Sequence, residues 1–214
     1  MIGDKLIIKD KHRRAAEQIV ERILPELRSS PRIYTITIAG ESGSGKSETG
    51  QALADALNRR DFKTLVLQQD DYFVYPPKTN DKARRKDVDR VGMQEVRLDL
   101  LDEHLRQARS GAETIVKPLV VYEEDRISEE TVSLRGVAVV VAEGTYTTAL
   151  DNVDTRVFID LTYLQTLQSR LERAREAQDD FLEKVLEIEH RIISAYKSRA
   201  DYLVDEQFRV VYPG

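Results

Sequence analysis

The sequence has no cysteine, no tryptophan and only three histidines, which lie far apart at His12, His104 and His190. Without thiols the chain forms neither a disulfide nor a thiolate metal site, and such dispersed histidines do not match the spacing of a zinc site. A chain of this kind suits a reducing compartment. We therefore expect a cytoplasmic protein.

Long apolar runs are also missing. No window approaches the ~20 apolar residues that a membrane-spanning helix needs. The N-terminal stretch MIGDKLIIKDKHRRAAEQIVERIL carries a charge every few positions and lacks the apolar core of a signal peptide. We expect no membrane partner.

An excess of one charge is absent as well. The 33 lysines and arginines stand against 38 aspartates and glutamates, for a formal net charge of -5. This balance gives no reason to expect a nucleic acid partner, so any anion site must be local. The length of 214 residues is usual for one domain and allows a continuous core. We expect a single domain and leave self-association open.

The chain does contain alternating helix and strand patterns. A helix is predicted over residues 11–28, with Asp10 as its N-cap, and a long helical stretch over 163–199, broken near 177–180. Edge strands are expected around Pro118. Buried strands are predicted at RIYTITIA and GVAVVVAEG, further strands at KTLVLQQ and TRVFIDL, and short terminal strands at DYLVD and FRVVYP. Strands that alternate with helices predict a parallel sheet flanked by helices.

A glycine-rich loop, IAGESGSGKSETG, joins the first of these strands to a predicted helix. Gly40, Gly45, Lys46 and Ser47 match the pattern G-x-x-x-x-G-K-[ST] at every position. Glycines let the backbone turn its N–H groups inward, and the helix adds its N-terminal dipole, so the loop can hold phosphates without a basic patch. A glycine turn that binds nothing is the weaker alternative. We expect a nucleotide to bind Gly40, Glu41, Ser42, Gly43, Ser44, Gly45, Lys46, Ser47 and Glu48.

The last two residues of that pattern have different expected roles. Lys46 would neutralise the β- and γ-phosphates of the nucleotide, and the Ser47 hydroxyl would bind magnesium. The sequence therefore predicts a site for ATP and Mg²⁺.

Two acidic residues end predicted strands on the ligand side of the sheet. Glu143 ends the most apolar strand, beside the glycine loop, where it could hold magnesium through water. Asp70 ends the second strand and could take the proton of an acceptor hydroxyl as general base. Adjacent side chains of an extended chain point apart, so only one of Asp70 and Asp71 should face the site. The alternative for Asp70 is turn chemistry or an N-cap.

Three arginines, Arg170, Arg173 and Arg175, lie on the predicted helix after the fourth core strand. A spacing of three places Arg170 and Arg173 on neighbouring faces, able to converge on phosphates. Because Glu172 and Glu176 alternate with them, a solvated helix face explains the spacing equally well.

From residue 70 to residue 92 the periodic pattern breaks. The segment begins with aromatic residues and a Pro-Pro pair and is too long to be filler, so we interpret it as a functional loop. Its four cations, Lys82, Arg84, Arg85 and Lys86, could attract an anionic acceptor. A solvated charge cluster is at least as good an explanation, because aspartates are mixed with them: Asp81, Asp87 and Asp89.

Together these segments resemble the uridine kinase and phosphoribulokinase group of P-loop kinases. The glycine loop is similar to the group's GxSGSGKST, VLQQDDYF to its QDxFY segment, VVVAEGTY to its xxEGxx strand end, and FIDLTYLQTLQSRLERAREA to its arginine-bearing lid helix. The resemblance covers most of the chain from Ile33 onward. It implies an α/β P-loop fold, with three α/β/α layers, a parallel five-stranded core sheet and a helical lid.

Carried over by position, the resemblance implies that Asp70 is the catalytic base and that Glu143 supports magnesium beside Ser47. We expect Asp70 to belong to the metal site as well. It also implies that Arg170 and Arg173 belong to a lid that closes over ATP, next to Lys46 at the phosphates.

The acceptor half matches the group least. The chain has DRVGMQEVRLDLL where the nucleoside kinases carry FDHPxA, and KPLVVYEEDRI only loosely matches their PxYDF. Phe73 stands where those kinases place an aromatic residue near the base of the acceptor. We expect the acceptor to contact Tyr72, Phe73 and Tyr122.

The expected function is an ATP-dependent, magnesium-requiring kinase that phosphorylates a hydroxyl of a small molecule. A nucleoside is the favoured acceptor, and a sugar, a sugar phosphate or another small alcohol is the alternative. A nucleotide-binding switch is disfavoured because no N-K-x-D segment follows a strand, and a non-catalytic ATP-binding protein would not need Asp70. Within one domain over 1–214 we expect a helical extension at 1–30, an acceptor-binding region at 71–126 and lid helices at 163–190.

Overall fold

The computed structural model describes residues 1–2, 6–173 and 179–213, except for the side chain of residue 173. Its helices are α1 (Asp10–Ser29), α2 (Lys46–Asn58), α3 (Pro77–Lys86), α4 (Leu98–Arg109), α5 (Leu167–Arg173) and α6 (Asp180–Tyr196). Its strands are β1 (Tyr34–Gly40), β2 (Thr64–Gln68), β3 (Thr114–Val121), β4 (Arg126–Ser133), β5 (Val139–Glu143), β6 (Thr155–Ile159), β7 (Tyr202–Val204) and β8 (Val210–Val211).

The central sheet has the strand order β2-β5-β1-β6-β7-β8. The first five strands are parallel, and β8 runs antiparallel to β7 at the edge. Every residue of β1 and of β5 is buried, as expected for central strands covered on both faces. The predicted parallel five-stranded core is confirmed, and the terminal strand predicted at FRVVYP, β8, joins the sheet as a sixth, antiparallel strand.

Alternate residues of β5 point to opposite faces of the sheet. Val139 and Val141 belong to one apolar cluster, and Val140 and Ala142 belong to the other. Helices α1 and α2 cover the first face, whereas α4 and the β3–β4 hairpin pack on the second. The helix predicted as an N-terminal extension is thus part of the core, to which it contributes Ala15, Ala16, Ile19, Val20, Ile23 and Leu27.

The segment predicted as an unpatterned loop contains a helix, α3. Pro77 stands in the first turn of α3, where a missing N–H costs nothing and the fixed φ favours a helix. Its sequence gives no apolar stripe because Asn80 is its only buried residue. The helix is held by polar contacts to other elements, which periodicity does not detect.

Residues 114–133 form a separate two-stranded antiparallel sheet in which Thr114 of β3 pairs with Ser133 of β4. Pro118 lies within β3, consistent with an edge strand.

The long helical stretch divides into α5 and α6, and Asp179 caps α6 by accepting a hydrogen bond from the backbone N–H of Leu182. Arg175 and residues 177–178 of the predicted break lie outside the described residues. Within the part of the chain that the structure describes, no helix is both long and apolar enough to cross a membrane.

Candidate active site

The phosphate-binding loop, residues 41–45, connects β1 to α2 at the carboxyl edge of the sheet. Gly43 and Gly45 have φ angles of +76° and +94°, which favour glycine. A Cβ on Gly43 would also lie 2.8 Å from Cγ of Arg170, and one on Gly45 would lie 3.1 Å from Nε2 of His12. Side chains of other elements therefore pack closely against the loop. The loop leads directly into the N-terminus of α2, an arrangement that can bind anions.

The polar atoms of the loop fit a phosphate ligand. The ammonium group of Lys46 donates a hydrogen bond to the carbonyl oxygen of Glu41, 3.0 Å away. The hydroxyl of Ser44 is buried and has no hydrogen-bond partner among the described residues. An orphaned hydroxyl inside a glycine loop is a group that phosphate oxygens would satisfy.

Glu41 and Glu48 have different surroundings. The carboxylate of Glu41 is buried, accepts a hydrogen bond from the backbone N–H of Tyr163, and lies 2.6 Å from Nδ1 of His190 on α6. Glu48 is also buried, but it lines a small cavity on the α1 side of the loop, next to Lys11 and His12. Glu41 therefore connects the loop to α6, whereas Glu48 faces α1.

Glu143 lies level with the ends of two neighbouring strands, since it is paired in register with Ile38 of β1 and Gln68 of β2. It is buried, with Ser47 among its polar neighbours. Burial and the charge of Asp70 raise the pKa of Glu143 to about 7, against the opposing effects of Lys46 and Ser47. A divalent cation would offset the repulsion between the negative charges of Glu143 and Asp70, so these two residues fit a magnesium site.

Asp70 and Asp71 face different surroundings. Residues 69–72 form a 3₁₀ turn after β2. Asp70 lines the large cavity described below. Asp71 is buried, accepts a hydrogen bond from the backbone N–H of Val120 and pairs with the ammonium group of Lys117 at 2.8 Å. Only Asp70 faces the cavity, whereas Asp71 attaches the β3–β4 hairpin to the turn.

A cavity of about 430 Å³ opens from the phosphate-binding loop. At one end it is lined by Ser42, Asp70 and Thr145. One wall is the polar face of α3, and the opposite wall is an apolar face of α6 that consists of Phe181, Leu182, Val185 and Leu186.

The three aromatic residues expected at the acceptor have different positions. Phe73 and Tyr122 line the cavity. Tyr72 does not: it is fully buried in the core, and its hydroxyl is hydrogen-bonded to Nδ1 of His104 at 2.9 Å. This placement contradicts the expectation that Tyr72 contacts the acceptor. The turn after β2 directs Tyr72 toward α4, because its large apolar ring is stabilised by burial.

Arg170 packs against the phosphate-binding loop. It is 8% exposed, and its guanidinium group donates hydrogen bonds to the carbonyl oxygen of Tyr163 and to the hydroxyl of Thr166. Thr166 in turn donates to the carbonyl oxygen of Ser42. The solvated-face interpretation therefore does not hold for Arg170. Of Arg173, only the backbone is among the described atoms.

Four side chains that the sequence did not single out as a set form a network in the cavity wall. Arg84 of α3 makes two hydrogen bonds to the carboxylate of Glu95, at 2.6 and 2.8 Å, and a third to Glu189 of α6, at 3.1 Å. Asn80 also donates to Glu95, at 3.0 Å. No local pattern connects these residues, because Glu189 lies 105 positions after Arg84.

Comparison with known proteins places the fold and loop in a family. The profile of the Phosphoribulokinase / Uridine kinase family matches residues 35–209. The chain belongs to this family. The family member is 27% identical to the uridine kinase of Lactobacillus johnsonii over 192 residues, which cover 83% of this chain and 88% of that protein.

Two further relatives are much longer proteins. The bifunctional alpha-galactosidase/sucrose kinase of Mediterraneibacter gnavus is 27% identical over 183 residues, or 79% of this chain. The uridine kinase of Saccharomyces cerevisiae is 27% identical over 146 residues, or 65% of this chain. The matched regions are 20% and 28% of the lengths of these two relatives.

Solved structures share the fold of this family member. A D-glycerate 3-kinase from Cryptococcus neoformans superposes with a TM-score of 0.62 at 15% identity, over 94% of this chain and 97% of that one. A possible uridine kinase from Bacillus stearothermophilus superposes with a TM-score of 0.61 at 21% identity, over 89% and 97% of the two chains. Both support the P-loop kinase fold.

Proposed function

We propose that this protein is a magnesium-dependent kinase that transfers the γ-phosphoryl group of ATP to a hydroxyl of a small molecule. The observation that supports it best is the single cavity that contains Ser42 of the phosphate-binding loop, Asp70, and a space between α3 and α6. A phosphoryl donor held by the loop and an acceptor held between the helices would share that cavity. Membership of the kinase family supports the same conclusion.

The donor side requires cations around the phosphates. Backbone N–H groups of the loop and the ammonium group of Lys46 would hold the phosphate oxygens. Ser47, Glu143 and Asp70 are the residues that would hold magnesium, directly or through water. When bound, magnesium neutralises charge on the β- and γ-phosphates. Arg170, and Arg173 from the same helix, would stabilise charge on the transferred group.

The acceptor side requires a base. The acceptor oxygen bonds to the γ-phosphorus, the bond from that phosphorus to the β–γ bridging oxygen breaks, and Asp70 takes the hydroxyl proton. ADP leaves with the bridging oxygen. Asp70 suits this role because it lies in the cavity, whereas Asp71 is held by Lys117.

A nucleoside is the acceptor that we favour. Phe73 and the apolar face of α6 could contact a flat base, and two of the relatives are uridine kinases. A sugar or another small alcohol is the second candidate, because one relative includes a sucrose kinase and one structural neighbour is a D-glycerate 3-kinase.

The test is a panel of nucleosides, sugars, sugar phosphates and hydroxy acids, screened for acceptor-dependent release of ADP from Mg-ATP. We expect one class to stimulate release. Asp70→Asn should lower turnover about 10²- to 10⁴-fold, the range for loss of a general base, while ATP still stabilises the variant against heat.

The matched control is Asp99→Asn, since Asp99 is an exposed aspartate in the first turn of α4. It should retain full turnover. Silence of the wild-type protein across the whole panel would overturn the kinase proposal. Unchanged turnover of Asp70→Asn would overturn only the assignment of the base.

A further inference from the structure

The charged residues in the cavity wall indicate whether the cavity suits a charged or an uncharged acceptor. Arg84 is mostly buried, with its side chain 13% exposed, and it contacts two carboxylates, Glu95 and Glu189. Burial opposes its charge, but the hydrogen bonds to Glu95 and the charge of Glu189 outweigh burial and raise the pKa of Arg84. The group of three therefore holds one positive and two negative charges.

The other cations that line the cavity are exposed or already paired. The N-terminal ammonium of Met1 lines the cavity and pairs with the buried Asp71 at 3.0 Å. Arg85 is exposed and pairs with Asp81 at 2.9 Å and with Asp179 at 3.0 Å. Lys78 is exposed, and its ammonium group donates to the carbonyl oxygen of Glu123. Lys82 is exposed at the rim. The basic cluster therefore does not provide a buried cationic site, and an anionic acceptor bound to Arg84 would also face the carboxylate of Glu189, 3.1 Å from that guanidinium.

The network also leaves hydrogen-bonding groups unused. Arg84 bonds through Nε and Nη2, and its Nη1 has no hydrogen-bond partner among the described residues. The amide nitrogen of Asn80 donates to Glu95, while its amide oxygen accepts no hydrogen bond from the described residues. Both side chains line the cavity, and Asn80 is only 6% exposed. Because both side chains line the cavity, a ligand there could use these two atoms as hydrogen-bond partners.

Hydroxyl groups satisfy this set better than anions do. A hydroxyl both donates and accepts, so it can give its proton to Glu189 or Asn80 and accept from Nη1 of Arg84. Phosphate and carboxylate oxygens only accept, and they would repel Glu189. Two neighbouring hydroxyls could use the donor and the acceptors together.

We infer that Asn80, Arg84 and Glu189 bind the neighbouring hydroxyls of an uncharged acceptor, and that the cavity disfavours phosphorylated and carboxylated acceptors. The diol could be that of a free sugar or that of the ribose of a nucleoside. This inference rests on the proposed function, because it specifies the acceptor of the same kinase. It assigns the three residues to specificity and not to phosphoryl transfer.

The first experiment compares uridine, sucrose and D-fructose with uridine monophosphate, fructose 6-phosphate and D-glycerate at fixed Mg-ATP. We expect kcat/KM for the preferred uncharged acceptor to exceed that for every anionic one at least about 100-fold, the scale on which like charges oppose binding. The same comparison separates the two sources of the diol. Preference for an anionic acceptor would overturn the inference while it supported the proposed kinase.

The second experiment uses the preferred acceptor and its deoxy analogue, which lacks one hydroxyl of the diol. Glu189→Gln should raise KM for the full acceptor about tenfold, leave kcat and the KM for ATP nearly unchanged, and affect the deoxy analogue much less. Asn80→Ala should likewise raise KM for the full acceptor more than KM for the deoxy analogue. The matched control is Glu187→Gln, an exposed position on α6 paired with Arg191, which should change neither KM. Equal effects on both acceptors would overturn the inference.

A readout that needs no catalysis keeps the two proposals apart. Calorimetric titration of the same six compounds without ATP measures binding to the cavity. If no compound stimulates ADP release but an uncharged one binds, the proposed kinase fails and the inference about the cavity stands. If only anionic compounds bind, or none of the six binds, the inference is overturned.

Discussion

The proposed donor half and the proposed acceptor half of the molecule are built differently. The donor half consists of one continuous segment, residues 40–47, which contains the phosphate-binding loop, and of the ends of adjacent parallel strands. The acceptor half brings together α3, α6 and the β3–β4 hairpin, which lie far apart in sequence. Because a phosphate is recognised mainly by backbone N–H groups, the donor half needs a local pattern, whereas side chains from three elements shape the acceptor half.

The largest expected effect in the donor half comes from Lys46→Ala. Removing the ammonium group from the phosphates should lower kcat/KM about 10³-fold or more, the scale of transition-state charge stabilisation. The control Lys63→Ala, at a lysine bonded to the carbonyl oxygen of Arg135, should leave kinetics unchanged. Near-normal activity of Lys46→Ala would contradict the assignment of residues 40–47 to the phosphoryl donor.

A second test in the donor half uses the titration of Glu143. Its pKa is raised in the folded protein to about 7 from 4.5, so the unfolded state loses this proton first as the pH rises. Folding is therefore penalised progressively between pH 4.5 and 7 and by a constant amount above.

Glu143→Gln should remove that penalty. Without magnesium, we expect the variant to be more stable than the wild type at pH 8, by on the order of 1 to 3 kcal/mol, and the difference to shrink toward pH 4.5. Kinase turnover should fall strongly in the same variant. Thermal unfolding at pH 5 and pH 8 measures the first effect; equal stability differences at both values would contradict the assigned pKa.

The acceptor half should depend on the ion pair between Lys117 and Asp71, which attaches the β3–β4 hairpin to the turn after β2. Lys117→Met leaves the buried carboxylate of Asp71 with the Met1 ammonium, 3.0 Å away, as its cationic partner, so we expect a cost of about 1 to 3 kcal/mol of unfolding free energy, measured with urea. The KM for the acceptor should rise more than that for ATP. The control Arg126→Gln removes an exposed partner of Glu124 in the same hairpin and should change stability by less than about 0.5 kcal/mol.

The smallest effect is expected at the rim of the acceptor half. Arg85→Gln removes exposed ion pairs to Asp81 and Asp179, so stability should change by less than about 1 kcal/mol. Acceptor KM should change less than threefold because the guanidinium is already neutralised. A larger rise in KM, measured with the preferred acceptor, would reopen the possibility that the basic cluster attracts anions.

Much of the fold could be predicted from local patterns. The strands β1, β2, β5 and β6 are marked by apolar and β-branched residues, and the glycine loop lies between a strand and a helix. The helix α3 could not be predicted, because ten residues with one buried position show no periodicity. Tyr72 was assigned wrongly to the acceptor, since a QDDYF segment does not reveal that the 3₁₀ turn directs this ring into the core.

The sequence by itself determined the glycine loop between a strand and a helix, the parallel core and the positions of Asp70 and Glu143 at the ends of strands. These depend on neighbouring residues and on a rule of parallel sheets, that carboxyl ends of strands meet at one edge. Only the tertiary structure decided that Asp71 pairs with Lys117 and that Arg84 lies between Glu95 and Glu189. Such contacts join residues that the chain separates by tens of positions, and their energy depends on burial and distance, which only the packed fold defines.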